Sequence, residues 1–136
     1  MIYVLDTTAF SAALRFEPGI MSFLAKHKPG DVATVPPVIA EIEYGIRRLD
    51  PESRKAKLLA DRKAELLKHI RVLDWTHEVS EHFGRFKAAL EEAGTPVDDF
   101  DIAIAAVASA HGAEVITVNL AHFKRIKGLV CRHWEE

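Results

Sequence analysis

The chain has 136 residues and a formal net charge of -2 at pH 7; 49% of its residues are hydrophobic and 28% are charged. These values are typical of one globular domain, here residues 1–136, and they exclude a disordered or fibrous chain, while no apolar run approaches the roughly 18 residues of a membrane span. The low net charge also excludes a protein that coats nucleic acid nonspecifically, although it allows a local basic rim.

The first half of the chain alternates between short apolar runs and helical patterns. The run "IYVL" predicts a buried strand, and "TTAFSAALRF" and "GIMSFLAKH" predict two short helices separated by Pro18 and Gly19. "DVATV" predicts a second strand, which ends at Pro36 and Pro37. From Val38 the apolar residues recur every three to four positions, so the spacing predicts a helix with Pro37 just before its apolar face.

The second half continues the alternation. "ESRKAKLLADRKAELLKHIR" predicts a helix, "RVLDW" a short strand, and "THEVSEHFGRFKAALEEAG" a helix with Thr76 as its cap and Gly94 as its end. "DIAIAAVASAHG" predicts an alanine-rich helix, "EVITVN" a strand and "GLVCRHW" an edge strand. We read Trp75 and Trp134 as core or edge packing. Short apolar strands alternating with helices predict an α/β fold with a mostly parallel sheet and helices on both faces.

Cysteine usage and the N-terminus bear on the cellular compartment. A single cysteine, Cys131, excludes an internal disulfide and a thiolate metal site. The N-terminus lacks the basic region, apolar region and cleavage site of a secretion signal. We therefore expect a cytoplasmic protein with no membrane partner.

Polar side chains follow two of the predicted strands. Asp6 comes directly after "IYVL", and Asn119 follows "EVIT". Sites in open α/β sheets form outside the carboxyl ends of strands, so both side chains are candidate site residues. Asp6 has a second interpretation as the cap of the helix that begins at Thr7, and capping is the commoner role of a lone aspartate at a strand end.

Two helices carry further carboxylates. Around Ile42 on the helix of "VIAEIEYGI", Glu41 and Glu43 flank the apolar face symmetrically, so periodicity does not choose between them. Gly45 favours Glu41, because a mid-helix glycine costs about 1 kcal/mol and would be explained by a close approach beside Glu41. Asp98, Asp99 and Asp101 begin the alanine-rich helix, where capping and the helix dipole explain each of them equally well.

The candidate side chains are expected to lie together at one edge of the sheet. Asp6, Glu41 and Asp101, with Asn119, would meet at one sheet edge without a cation between them, so they would repel one another. Mg²⁺ or Mn²⁺ is the natural counter-charge for such oxygen ligands. Two such ions roughly 4 Å apart can activate a water and stabilise the leaving oxygen of a phosphodiester.

The blocks "YVLDTTAF", "VIAEIEYGI", "DIAIAAVASAHG" and "VITVNLAHF" together resemble those of PIN domains, and most closely the VapC-type toxins of toxin–antitoxin pairs. The resemblance runs from about residue 2 to the end. It implies a Mg²⁺- or Mn²⁺-dependent endoribonuclease on a three-layer α/β/α sandwich. It also implies a homodimer that a small VapB-like antitoxin neutralises, and a higher assembly that contacts DNA through that antitoxin.

The resemblance also implies roles for individual residues. Asp6 and Asp101 match the metal ligands, Glu41 matches a glutamate that ligates the metal or orients water, and Asn119 matches a position of aspartate or asparagine. The expected supporting residues are Thr7, Asp99, Thr117 and His122. His122 is a departure, since many relatives have an acid there, and with Asn119 it puts a tightly held second metal in doubt. The candidate phosphate contacts are Arg15, Arg47, Arg48, Lys124, Arg125 and Lys127, each of which is otherwise a solvated surface charge.

Other functions are weighed against this one. The segments "AFSAALRF" and "GIMSFL" with residues 38–70 would form the antitoxin groove, although helix packing explains most of their apolar residues. A phosphotransferase with Asp6 as acceptor would need a nearby second acid, yet Thr8 stands two positions later and residues 2–5 carry none. A PIN nuclease of RNA processing and a PIN-like scaffold with a degraded site stay open. Transfer RNA is the substrate suggested by analogy.

Overall fold

The computed structural model describes residues 1–136 and has a parallel sheet at its centre. Its strands are β1 (Tyr3–Leu5), β2 (Val32–Thr34), β3 (Arg71–Val72), β4 (Glu114–Ile116) and β5 (Cys131–Arg132). Its helices are α1 (Thr7–Leu14), α2 (Pro18–Lys26), α3 (Pro36–Arg47), α4 (Arg54–His69), α5 (His77–Glu92), α6 (Asp99–Ala110) and α7 (Leu120–Phe123). A short 3₁₀ turn, Pro29–Asp31, precedes β2.

The order of the strands creates a switch point beside β1. The sheet runs β3-β2-β1-β4-β5, and every neighbouring pair is parallel. The chain moves outwards from β1 through β2 to β3 and then crosses back to β4 on the other side of β1. Leu5 pairs with Ile116, and the Asp6 N–H donates to the Ile116 carbonyl at 3.1 Å. The residues after β1 and β4 therefore meet where such sheets form their sites.

The core explains why the central strands are apolar throughout. Val4, Leu5, Val115 and Ile116 are fully buried because helices cover both faces of the sheet. Seven consecutive residues of α6, 102–108, are also buried, so this helix is apolar on all sides rather than on one stripe. The predicted three-layer α/β/α fold with a parallel sheet is confirmed.

One local prediction needs correction, and one helix was missed. Pro18 does not merely separate two helices: it is the first residue of α2, where the missing N–H of proline costs nothing. Helix α7 was not predicted, because four residues are too few to set a periodicity. Trp134 is buried and Trp75 is 43% exposed, so the two tryptophans fit the predicted core and edge packing. No helix is long and apolar enough to cross a membrane.

Candidate active site

Asp6 directly follows β1 and is buried, with only 1% of its surface exposed. It caps α1, as one of the two interpretations predicts, because its Oδ1 accepts the Ala9 N–H at 2.9 Å. The Thr8 hydroxyl donates to the same oxygen at 2.6 Å, and the Thr117 hydroxyl donates to Oδ2. An ionised carboxylate has about four acceptor positions. The Ala9 N–H and the Thr8 hydroxyl use the two on Oδ1, and the Thr117 hydroxyl uses one on Oδ2, so one position on Oδ2 is open.

Asp101 lies in the first turn of α6, on the other side of this edge. Burial is the main cause that raises the pKa of Asp101, and the negative charge of Asp6 raises it further. Burial also raises the pKa of Asp6, against hydrogen bonds that lower it. The two carboxylates are therefore neighbouring like charges, Asp6 buried and Asp101 partly buried, and the one side chain that forms an ion pair with either is His122, whose Nδ1 lies 3.4 Å from Asp101 Oδ2.

Glu41, on α3, reaches the site through Thr7. The Thr7 hydroxyl donates to Glu41 Oε1 at 2.5 Å, and Thr7 directly follows Asp6 in the chain. Glu43 points elsewhere: its carboxylate lies 2.7 Å from both Lys63 Nζ and Arg47 Nε, and these bonds lower its pKa to about 2. Glu41, rather than Glu43, thus belongs to the site edge.

The close approach predicted beside Gly45 is wrong, although it favoured Glu41, the glutamate that lies at the site edge. The sequence predicts a group packed closely against Gly45, but a Cβ built on Gly45 would meet nothing within 4 Å. The space above Gly45 is an open groove between α1, α3 and α4, and Glu41 lies at its edge. The glycine therefore leaves room on the surface instead of allowing contact within the chain.

The remaining polar candidates occupy different positions. Asn119 precedes α7, its backbone N–H donates to Thr117 Oγ1 at 2.8 Å, and its side-chain amide makes no hydrogen bond. Asp98 caps α6 by accepting the Phe100 N–H at 2.8 Å. Asp99 is exposed and pairs with Lys87, whose Nζ lies 3.0 Å from Asp99 Oδ1. Asp99 is therefore already engaged away from Asp6.

The predicted phosphate contacts fall into two classes. Arg15 forms an ion pair with Glu17, and Arg47 forms one with Glu43, so both already have an acidic partner. Lys124 and Arg125, just after α7, have no acidic partner. Arg48 and Lys127 are also without ion pairs, and Arg48 lies over the ring of Tyr44.

The arrangement suits a hard cation that keeps waters, rather than a closed protein cage. No three histidine, cysteine, aspartate or glutamate side chains converge closely enough to supply a full ligand set. Mg²⁺ commonly uses only one or two carboxylates and completes its shell with water and substrate phosphate. Asp6 and Asp101 provide such a pair, all oxygen, without a lysine or arginine beside them.

Thr8 belongs to the site but was not a candidate. Its hydroxyl donates to Asp6 Oδ1 and accepts the Val118 N–H at 3.2 Å, so it ties the end of β1 to the segment after β4. The sequence contains a signal for it, because "DTT" offers a second hydroxyl next to Thr7. Only the parallel pairing of β1 with β4 reveals which carboxylate each threonine serves.

The chain matches the family model of the PIN domain over residues 3–129. It is 27% identical to Ribonuclease VapC2 of Rickettsia felis, and the alignment covers 100% of both chains. It is 33% identical to the tRNA(fMet)-specific endonuclease VapC of Salmonella typhimurium over 97 residues, which cover 71% of this chain and 70% of that protein.

A solved structure has the same fold throughout. The crystal structure of VapBC2 from Rickettsia felis bound to a DNA fragment from its promoter superposes with a TM-score of 0.84 and 27% identity. The superposition covers 98% of this chain and 99% of that one. The likeness therefore extends from β1 to β5 and includes all of the elements that carry the site.

Proposed function

We propose that the chain is a metal-dependent endoribonuclease and the toxin of a toxin–antitoxin pair, because it belongs to the PIN domain family, among its VapC-type members. One observation carries the proposal: the buried carboxylate of Asp6 lies close enough to that of Asp101, which is 17% exposed, for its charge to raise the pKa of Asp101. Neither carboxylate has a lysine or arginine partner at this switch point of the sheet. A pair of like charges is costly to bury unless a cation joins it, so this pair is best explained as a binding site.

We propose Mg²⁺ or Mn²⁺ as the cofactor, held by Asp6 and Asp101. When bound, such an ion would neutralise the two carboxylates and stabilise charge on the phosphodiester. Hydroxyls from Thr8 and Thr117 fix the Asp6 carboxylate so that its open acceptor position points in one direction. The amide of Asn119, which has no protein partner, is free to hydrogen-bond water or substrate beside this pair.

Glu41 is the proposed proton acceptor of the reaction. Its Oε1 is held by Thr7, which leaves Oε2 to accept a proton from the attacking water. The water oxygen forms a bond to phosphorus in line with the leaving oxygen. The bond between phosphorus and the 3′ oxygen breaks, and the 3′ oxygen takes a proton from solvent. The products are a 5′-phosphate and a 3′-hydroxyl.

Transfer RNA is the proposed substrate, and the cytoplasm is the proposed compartment. Support comes from the relative in Salmonella typhimurium, which is named a tRNA(fMet)-specific endonuclease. Sequencing of RNA ends after induced expression in a bacterial host tests the target. New 5′-phosphate ends concentrated at one position of a tRNA support the proposal, and ends confined to other RNAs contradict it.

An antitoxin segment is the proposed occupant of the groove above Gly45. Its floor is formed by apolar side chains of three helices, among them Leu14, Ile46 and Leu59, and one end reaches Glu41. A chain lying there would cover the site edge as well. The structure of a relative with its antitoxin and promoter DNA supports this partner, and we propose the same kind of assembly here.

Replacement of Gly45 by tryptophan tests this groove. Gly45→Trp should fold normally, because α3 accepts a side chain and no atom lies within 4 Å of the added Cβ. The antitoxin encoded beside the toxin should bind about 100-fold more weakly, since the indole fills the groove. Gly84→Trp is the matched control, because it adds the same side chain to an open glycine of α5. Equal affinity of both variants in titration calorimetry would exclude the groove as the antitoxin site.

A homodimer is the proposed state without antitoxin. Trp75 and Phe100 are 43% and 44% exposed, and with Pro36, Ala40 and Phe83 they form an apolar patch that we call the aromatic patch. Large exposed aromatic groups beside one another are typical of protein interfaces. The patch lies one residue from Asp101, so a dimer built on it would bring two sites together.

Trp75→Glu should convert this dimer to a monomer, because a charge in the centre of an apolar interface is costly to desolvate. Sedimentation equilibrium should give the mass of one 15.2 kDa chain for this variant and of two chains for the natural protein. Leu58→Glu, at a residue of α4 that is 47% exposed, should stay dimeric. A dimeric Trp75→Glu variant would place the interface elsewhere.

A further inference from the structure

A surface groove runs between α5 and the segment that links α7 to β5. Two adjoining cavities form it, and they share Arg85, Phe86 and Lys127 in their walls. The part nearer the active site adds Arg125, with Leu90 and Ile126 as its floor. We call this feature the α5 groove. Leu90 and Ile126 are almost fully buried, so the floor is apolar and the rim is charged.

The charges of the α5 groove all have one sign. Its walls contain no aspartate or glutamate, whereas each of three other cavities of the protein includes a carboxylate: Glu135, Asp99 or Glu41. Such a groove is unexpected in a chain with a net charge of -2, because acidic residues outnumber basic ones. The one-sided charge therefore indicates a place for an anion.

None of the three cations of the α5 groove forms an ion pair within the protein. Arg85 donates to His82 Nδ1 at 2.7 Å, and Arg125 donates to the Pro96 carbonyl at 3.0 Å, but neither has an acidic partner. Lys127 forms no ion pair and no hydrogen bond. The cations that border the other side of the site, Arg15 and Arg47, are by contrast neutralised by Glu17 and Glu43.

The α5 groove begins beside the active site. Arg125 contacts Pro96, in the loop that leads into Asp98 and α6. Three residues earlier, on α7, His122 contacts Asp101. An RNA chain that passes the carboxylate pair and follows α7 would therefore reach Arg125 first. It would then reach Arg85 and Lys127, which lie farther from the reacting phosphate.

We propose that the α5 groove binds the sugar–phosphate backbone of RNA several nucleotides away from the cleaved bond. Cationic walls neutralise the phosphates, and the apolar floor suits the sugar and base faces of a single strand. This inference rests on the proposed ribonuclease function. It adds a second binding region, which makes the enzyme favour long RNA over RNA that spans the active site alone.

The double variant Arg85→Glu/Lys127→Glu tests this proposal with two RNAs. On a single-stranded RNA of about 30 nucleotides, kcat/KM should fall about 100-fold, or about tenfold for each cation replaced. On an RNA of about six nucleotides it should change by less than about twofold, because this RNA does not reach the groove. Binding to the long RNA is measured in EDTA at several salt concentrations. The slope of log K against log salt concentration should become shallower by about 1.4, or about 0.7 for each phosphate that is no longer neutralised.

Lys28→Glu/Arg54→Glu is the matched control, because it makes the same change of charge at two exposed cations that have no ion pair and lie outside the groove. It should leave the preference for long RNA intact. Equal losses on both RNAs, or an unchanged salt slope, would overturn the proposal. So would an altered oligomeric mass with an unchanged slope, since the groove would then bind protein. If the natural protein cleaves neither RNA, the proposed function is wrong, while the salt slope of binding still decides the groove.

Discussion

Asp6→Asn and Asp101→Asn should each lower the rate of RNA cleavage by about 10³-fold or more, equivalent to about 4 kcal/mol of transition-state stabilisation. Each change removes one of the two negative charges proposed to hold the cation. Initial rates on a labelled RNA with Mg²⁺ or Mn²⁺ measure the effect. Asp99→Asn, two residues away on the same helix and paired with Lys87, should stay within about twofold of the natural rate.

Asp101→Asn should also melt at a higher temperature than the natural protein in EDTA near pH 7. Burial and the charge of Asp6 raise the pKa of Asp101, so the ionised carboxylate costs stability above that raised pKa, and a neutral amide removes the cost. Added Mn²⁺ should raise the melting temperature of the natural protein and not that of the variant. Full activity of Asp6→Asn and Asp101→Asn, or loss of activity in Asp99→Asn alone, would contradict the assignment of Asp6 and Asp101 as the metal ligands.

Glu41→Gln should lower the rate by about 10²- to 10⁴-fold, the usual contribution of a general base. The amide keeps the bond from the Thr7 hydroxyl but does not accept a proton from water. Glu43→Gln is the matched control on the same helix, because Glu43 is bound to Lys63 and Arg47 and points away from the site. It should keep nearly full activity.

Comparison of kcat and KM for the two glutamine variants separates chemistry from binding. The proposed role of Glu41 requires a fall in kcat with little change in KM, since the group acts on water rather than on RNA. A normal kcat for Glu41→Gln with a raised KM would instead make Glu41 a binding residue. Equal losses in both variants would point to damage of α3.

The strands of the sheet and the end of β1 were predictable from sequence. Short apolar runs that alternate with helical spacing are best explained as strands buried between helices. Asp6 could be placed at a sheet edge, since carboxyl ends of parallel strands lie together. Asp6 caps α1 through one oxygen, and the other is oriented by Thr117, just after β4. The same residue therefore serves the fold and the proposed site.

The tertiary partners of the site were not predictable in the same way. Thr8 and Thr117 are 109 positions apart in sequence and meet only because β1 and β4 are neighbours. Gly45 favoured Glu41 for an incorrect reason, since a single chain does not reveal whether a glycine faces a neighbour or open space. For Trp75 the sequence left core and edge packing open, because composition does not distinguish a core aromatic from one at a surface patch.

The ion pairs divide the predicted RNA contacts in a way that charge alone does not. Arg15 and Arg47 resemble Lys124 and Arg125 in sequence, and only the fold reveals that the first two have acidic partners. Arg85 was not a candidate because it lies far from every motif, yet it lines the α5 groove with Lys127. Sequence therefore predicted the fold and the sheet edge that carries Asp6 better than it predicted which cations are free of acidic partners.

We propose that this protein cleaves RNA with a divalent cation held by Asp6 and Asp101. The most direct test is the analysis of products after the purified protein is incubated with RNA in EDTA and in Mg²⁺ or Mn²⁺. We expect no cleavage in EDTA, cleavage on addition of the ion, and fragments with 5′-phosphate and 3′-hydroxyl ends. Cleavage that persists in EDTA, or fragments that end in a 2′,3′-cyclic phosphate, would contradict it.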